Sequence, residues 1–115
     1  MRSGARTPEE LDALLEHAFV VRDRRAVAAL FESEALLVDA AAGEARGARE
    51  IASWATQTWR RGVTYLAAQP RVLQAGDTAL VLTPEGISVA RHDDRGWRYA
   101  IALLSLGHAT EREEQ

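Results

Sequence analysis

The sequence predicts a single α+β domain, because patterns typical of helices and strands follow one another along the chain. Apolar residues recur at helical spacing between residues 8 and 31. A short apolar strand and another helical stretch follow, up to Gly62. From Val63 onward, β-rich stretches are separated by turn residues, which is typical of an antiparallel meander. A chain of 115 residues can bury one real core but hardly a second.

The first helix has a complete start signal. Thr7 can act as the N-cap, Pro8 takes the first helical position and Glu10 completes a capping box. One buried stripe at helical spacing then contains Leu11, Leu14, Leu15, Ala18 and Phe19. Asp23 is expected to cap a second, shorter helix. The inner face of that helix contains Val27, Leu30 and Phe31.

The centre of the chain predicts a strand, a turn and a third helix. Strand alternation places Ala35, Leu37 and Asp39 on one side of the strand. Gly43 and Glu44 can form a tight turn before a short return strand. The third helix is expected from about Arg49 to Arg61, and Gly62 ends it. Its buried stripe contains Ile51, Trp54, Ala55, Thr58 and Trp59.

The second half of the chain predicts four strands, at residues 63–75, 78–83, 87–92 and 97–106. Pro70 indicates a bulge or an edge position in the first of them. The last strand is apolar on both sides, with Trp97, Tyr99, Ile101 and Leu103 on one and Ala100, Ala102, Leu104 and Leu106 on the other. Such a strand needs cover on both faces. We therefore expect a homodimer through the outer sheet face, with Ala100, Ala102, Leu104 or Leu106 in the interface.

The predicted elements divide the chain into three segments. Residues 1–7 read as a disordered N-terminal segment, residues 8–106 as one α+β domain, and residues 107–115 as a flexible tail.

Composition excludes several classes of function. The net charge is −3 and the arginines form no stripe, so nucleic acid is not an expected partner. The longest apolar run is too short to span a membrane, and residues 1–7 lack the apolar core of a signal peptide, so a cytoplasmic location is expected. Cysteine is absent, and no metal-binding, serine-nucleophile or phosphate-loop motif occurs, so we expect neither metal nor cofactor. The absence of lysine and the many alanines suggest a bacterial genome rich in G and C.

Two stretches resemble a known superfamily. LFESEALLVD at residues 30–39 and GEARGAREI at residues 43–51 are similar to the nuclear transport factor two-like superfamily, in particular its SnoaL-like and ketosteroid isomerase-like branches. Arg49 and Glu50 lie ten and eleven residues beyond Asp39, as in steroid isomerases, and a Gly-Trp-Arg strand follows at Gly96. The resemblance implies a cone-like, curved antiparallel sheet with about three helices packed on its concave face.

The resemblance also implies a role for Asp39. In steroid isomerases the matching acid is the base that shuttles a proton next to a carbonyl in an apolar cleft. An equally acceptable alternative is a structural acid that accepts backbone hydrogen bonds at a strand end. The chain departs from steroid isomerases elsewhere, because Leu15 stands where they have a donor tyrosine and their second aspartate falls near Ile87. Steroid isomerisation by their mechanism is therefore not expected.

The leading hypothesis is a small-molecule-binding protein that holds an apolar or polyketide-like molecule inside the cone. In its catalytic form, an isomerase or cyclase, Asp39 is the general base. The expected pocket residues are Leu15, Phe19, Leu37, Trp54, Trp59 and Tyr99. The alternatives are that the tryptophans are simply core and that the chain is a non-catalytic carrier or association module. His17, Tyr65, Arg91 and His92 form no known constellation and are more typical of structural residues.

Overall fold

The computed structural model describes residues 4–65 and 69–106, which form three helices and six strands. The helices are α1 (Pro8–Val21), α2 (Arg24–Ala29) and α3 (Ala48–Arg60). The strands are β1 (Phe31–Asp39), β2 (Gly43–Arg46), β3 (Arg71–Ala75), β4 (Thr78–Thr83), β5 (Gly86–Asp93) and β6 (Gly96–Leu104). Within these described ranges, no helix is long and apolar enough to cross a membrane.

The helix starts agree with the expected capping residues. The Thr7 hydroxyl accepts a hydrogen bond from the Glu10 amide at 3.0 Å, with Pro8 in the first turn. The Asp23 carboxylate accepts one from the Ala26 amide at 3.0 Å and so caps α2. Each bond satisfies a backbone donor that has no partner within its own helix.

The sheet has the strand order β2-β1-β6-β5-β4-β3. All pairs are antiparallel except β1 and β6, which run parallel, so the sheet is mixed rather than purely antiparallel. A parallel pair needs a long connection, and here α3 and three strands of the meander lie between β1 and β6. Strand β3 is an edge strand that begins at Arg71, directly after Pro70. Part of the longer predicted strand, residues 66–68, lies outside the described residues.

The predicted assignment of the two faces of β6 is wrong beyond Tyr99. Val89 pairs with Ile101 and Ala90 pairs with Tyr99, so Ala100 is an extra residue in a β-bulge. The bulge reverses the alternation, and the residues predicted for a dimer interface are buried by the chain itself, with Ala102, Leu104 and Leu106 in the core and Ala100 at the bulge. Ile101 and Leu103 instead lie on the outer face, 40% and 47% exposed.

The chain before α1 is attached to the sheet. Ala5 is buried and forms an antiparallel bridge with Trp97, and the Gly4 amide donates to the Arg95 carbonyl at 3.1 Å. The approach is so close that a Cβ on Gly96 would lie 2.6 Å from the Ala5 carbonyl oxygen. Residues 4–7, which we predicted as disordered, therefore contact the domain. The predicted tail at 107–115 lies outside the described residues, as do residues 1–3.

Candidate functional site

The residues predicted to line a pocket meet in one buried cluster between the helices and the concave face of the sheet. Its members include Leu15, Phe19, Leu37, Trp54, Trp59 and Tyr99, each at most 8% exposed. The Phe19 ring lies at its centre, with centroid distances of 5.5 Å to Trp54, 5.4 Å to Trp59 and 6.1 Å to Tyr65. Helices α1 and α3 each carry an apolar stripe at helical spacing. Both stripes pack against the same sheet, which brings these residues together.

Asp39 lies at one end of this interior and is only 2% exposed. Its Oδ2 accepts a hydrogen bond from Trp54 Nε1 at 2.8 Å, and its Oδ1 accepts one from the Ala41 amide at 2.8 Å. Arg61 Nη2 lies 3.9 Å from Oδ2. These contacts connect the end of β1 to the following turn and to α3. They match the structural alternative for Asp39, and its role as a general base stays a prediction.

A second buried acid, Asp12 on α1, is not among the site residues predicted from the sequence. It is 0% exposed, and its Oδ1 accepts hydrogen bonds from two phenols. Tyr99 on β6 donates at 3.0 Å, and Tyr65, which follows α3, donates as well. We call Asp12, Tyr65 and Tyr99 the Asp12 cluster. It joins three separate parts of the fold inside the core.

The electrostatics of the Asp12 cluster favour protonated groups. Burial raises the pKa of Asp12, and the Glu16 charge adds to this, while the two phenol hydrogen bonds oppose it. Burial also raises the pKa of Tyr65, with the Asp12 charge as the next cause. For Tyr99, burial raises the pKa well above its usual value. Both phenols therefore remain hydrogen-bond donors throughout the neutral range.

Two polar atoms in this interior have no hydrogen-bond partner among the described residues. They are Asp12 Oδ2 and Trp59 Nε1, and both are buried. An unpaired buried polar group costs about 1 to 3 kcal/mol, so native proteins contain few of them and each requires an explanation. Trp59 Nε1 can only donate, whereas Asp12 Oδ2 accepts when the carboxylate is charged, so the interior contains two unsatisfied groups of different character.

A signal for Asp12 was present in the sequence. Asp12 precedes Leu15 by three positions and Phe19 by seven, so it falls on the apolar stripe of α1. An acid on such a stripe has to be paired or neutral. Its partners could not be found in this way, because Tyr65 and Tyr99 are 53 and 87 positions away in sequence.

The other polar candidates lie elsewhere. Arg91 forms a two-pronged ion pair with Glu32 on the outer sheet face, at 3.0 and 2.6 Å. His92 Nδ1 lies 3.5 Å from an Asp77 carboxylate oxygen, and His17 is exposed on α1. In the part of the chain that the structure describes, no group of three or more metal-ligating side chains occurs.

Known structures share this fold. A ketosteroid isomerase-like protein from Erwinia carotovora atroseptica is 22% identical, with a TM-score of 0.69 over 85% of this chain and 92% of that one. An NTF2-like protein with a cystatin-like fold from Novosphingobium aromaticivorans is 22% identical, with a TM-score of 0.68 over 91% and 84%. A candidate calcium/calmodulin-dependent protein kinase type II association domain from Thiobacillus denitrificans is 16% identical, with a TM-score of 0.69 over 91% and 98%.

No family model and no curated protein matches the sequence. The structural neighbours confirm the predicted α+β cone, and they are described as NTF2-like, as ketosteroid isomerase-like or as having a cystatin-like fold. Their descriptions range from isomerase-like proteins to an association domain. Likeness at this level of identity therefore assigns the fold alone, and the function has to be argued from the site.

Proposed function

We propose that this chain binds a small, mostly apolar molecule between α1, α3 and the concave face of the sheet. The observation that carries the proposal is the pair of unpaired atoms, Asp12 Oδ2 and Trp59 Nε1, inside a mostly apolar core. A ligand with one oxygen-bearing group would satisfy them and leave its apolar body against Leu15 and Phe19. Small-molecule sites are typically apolar with a few polar groups, and this core has the same composition.

The chemistry of the two atoms defines the ligand. Trp59 Nε1 can only donate, so it requires an acceptor. Asp12 Oδ2 accepts when the carboxylate is charged and can donate when the acid is protonated, and burial favours the protonated form. A carbonyl oxygen can accept from Trp59 Nε1 and, when Asp12 is protonated, from Asp12 as well. A hydroxyl group can accept from Trp59 Nε1 and donate to a charged Asp12. The Phe19 ring lies 5.4 to 6.1 Å from three other rings, so we expect it to move when a ligand enters.

This proposal predicts that binding discriminates by one oxygen atom. We expect 2-decalone to shift the Trp59 indole N–H resonance and to bind about tenfold more tightly than decalin, because a buried hydrogen bond is worth about 1 kcal/mol. Asp12→Leu should abolish most of this difference. The matched control is Glu9→Leu, which replaces an exposed acid on the same helix. The measurement is a titration followed by NMR.

The proposal is wrong if neither compound perturbs the Trp59 resonance in the wild-type protein. It is also wrong if Asp12→Leu retains the full preference for the ketone while Glu9→Leu behaves as the wild type. In that case the Asp12 cluster is only structural.

The catalytic form of the hypothesis adds proton transfer by Asp39. Both carboxylate oxygens of Asp39 already accept hydrogen bonds, from Trp54 and from the Ala41 amide. A substrate would have to approach beside these donors and beside Arg61. These contacts favour a structural role for Asp39, and its role as a general base stays a prediction.

A second candidate function is self-association, and the outer face of the sheet supports it. The strand register places two apolar rows side by side on this face. One row contains Val38, Leu103, Ile87 and Leu82, and the other contains Leu36, Ile101, Val89, Leu80 and Leu73. Five of these residues are 39% to 47% exposed. A contiguous apolar surface of this kind marks an interface, and two copies can cover each other through a twofold axis.

This candidate predicts a homodimer at tens of micromolar protein. Leu103→Glu should give a monomer, because it would place a charge in the middle of the buried interface. Val20→Glu is the matched control, since Val20 is 65% exposed on α1 and lies away from the sheet. Size-exclusion chromatography with light scattering measures the mass of each protein. A wild-type monomer at these concentrations would contradict the candidate.

A further inference from the structure

A groove of about 650 Å³ lies between α1, α2 and the start of β1, and the core residues Ala18, Leu30 and Phe31 form part of its wall. We define the α1–α2 groove by Leu14, Val21, Ala26, Ala29, Arg95 and Arg98. It extends to Phe31 and Ser33, the start of β1, whereas Asp39 lies at the other end of that strand. The α1–α2 groove is therefore separate from the Asp39 end of the interior.

The sequence of α2 explains why this groove exists. Val27 points into the core and is 0% exposed, while the alanines at 26, 28 and 29 line the groove with the smallest apolar side chains. On the opposite wall, Leu14 and Val21 of α1 remain 36% and 52% exposed. Because large apolar side chains face small ones, the α1–α2 groove has an uncovered apolar surface. Such a surface favours an apolar occupant.

The charges at the groove favour an anion. Arg95 and Arg98 line it, against one carboxylate, Asp23, whose Oδ1 already accepts from the Ala26 amide. Arg98 is only 16% exposed, and its Nη2 donates to Asp93 at 2.8 Å. Within the described residues its Nε is buried without a hydrogen-bond partner. One guanidinium donor is therefore unsatisfied, and arginine donors bind carboxylates preferentially.

From these observations we infer that the α1–α2 groove binds an amphipathic carboxylate, such as a medium-chain fatty acid. The alkyl chain would lie between Leu14 and the alanines of α2, and the carboxylate would lie at Arg95 and Arg98. The volume is within the range of small-molecule sites. This inference does not depend on binding inside the core, because the two sites share neither the Asp12 cluster nor Trp59.

The test compares decanoate with 1-decanol by NMR titration, both below the concentration at which they aggregate. We expect decanoate to shift backbone resonances of α2 and of Arg95. Ala29→Leu should weaken the binding of decanoate by about tenfold or more, because the larger side chain fills the α1–α2 groove. The matched control is Ala13→Leu, an exposed position on α1 that does not line the groove. Arg95→Gln should weaken decanoate several-fold and leave 1-decanol unchanged.

Three results would overturn this inference. One is no change at α2 on adding decanoate, and another is equal binding to wild type and Ala29→Leu. The third is that 1-decanol binds as tightly as decanoate. Asp12→Leu separates the two sites, since it should remove selective ketone binding in the core and leave decanoate binding intact. A loss of decanoate binding in Asp12→Leu alone would place the fatty acid in the core and contradict the groove.

Discussion

Asp39→Asn is expected to lower the free energy of unfolding by about 1 to 3 kcal/mol, because an amide cannot accept hydrogen bonds from both donors that Asp39 now serves. In the asparagine side chain an NH₂ group replaces one carboxylate oxygen. This group would face either Trp54 Nε1 or the Ala41 amide, and both of these are donors. Urea unfolding at neutral pH measures the change. Glu34→Gln, an exposed acid on the same strand, is the matched control and should stay within about 0.5 kcal/mol of wild type.

The same variant separates the two roles of Asp39. If it is structural, Trp54→Phe should also destabilise the protein, and the double variant should lose less than the sum of the two single losses, because both remove one hydrogen bond. Ligand binding in the core should persist. A general base behaves differently, since Asp39→Asn would then keep the stability of the wild type and lose only proton transfer.

Asp12→Asn is expected to become increasingly stable relative to the wild type as the pH rises. Burial raises the pKa of Asp12 above its usual value of 3.8, so the folded protein binds more protons than the unfolded chain in the window above 3.8. The stability that Asp12 contributes is fully present below that value and is lost as the pH rises through the folded-state pKa. Asparagine does not titrate and is free of this loss.

The measurement is urea unfolding of both proteins from pH 3 to pH 8, with the difference in unfolding free energy taken at each pH. Other titrating groups contribute equally to both proteins, so the difference reports Asp12. A difference that is constant with pH would show that the pKa of Asp12 is the same in both states. A trend of opposite sign would show that the phenol hydrogen bonds outweigh burial.

Local signals in the sequence predicted the helices and strands because the cause of each element is local. The capping contacts of Thr7 and Asp23 span three residues, and turn residues define the hairpins. Three residues predicted for the pocket, Phe19, Trp54 and Trp59, lie in one buried cluster because they are on helical stripes that face one sheet, and that they line a pocket stays a prediction. Such features depend on spacing within one element, which a sequence displays directly.

Other features arise only when distant segments meet. The bulge at Ala100 depends on the partner strand, and without it the alternation of β6 assigns Ile101 to the wrong face. The parallel pairing of β1 with β6 likewise has no local signature. For the Asp12 cluster, the acid was visible on its stripe, but the phenols that bind it come from elements that only the fold places nearby.

The central position of β6 has a consequence for synthesis of the protein. Strand β6 lies between β1 and β5 and is the final strand in the described part of the chain. While the ribosome makes residues 31 to 95, both neighbours of β6 have unpaired edges. Open strand edges of this kind pair with other chains. The nascent protein therefore cannot complete its sheet until about residue 104 has emerged. A chain truncated before that point is expected to be prone to aggregation.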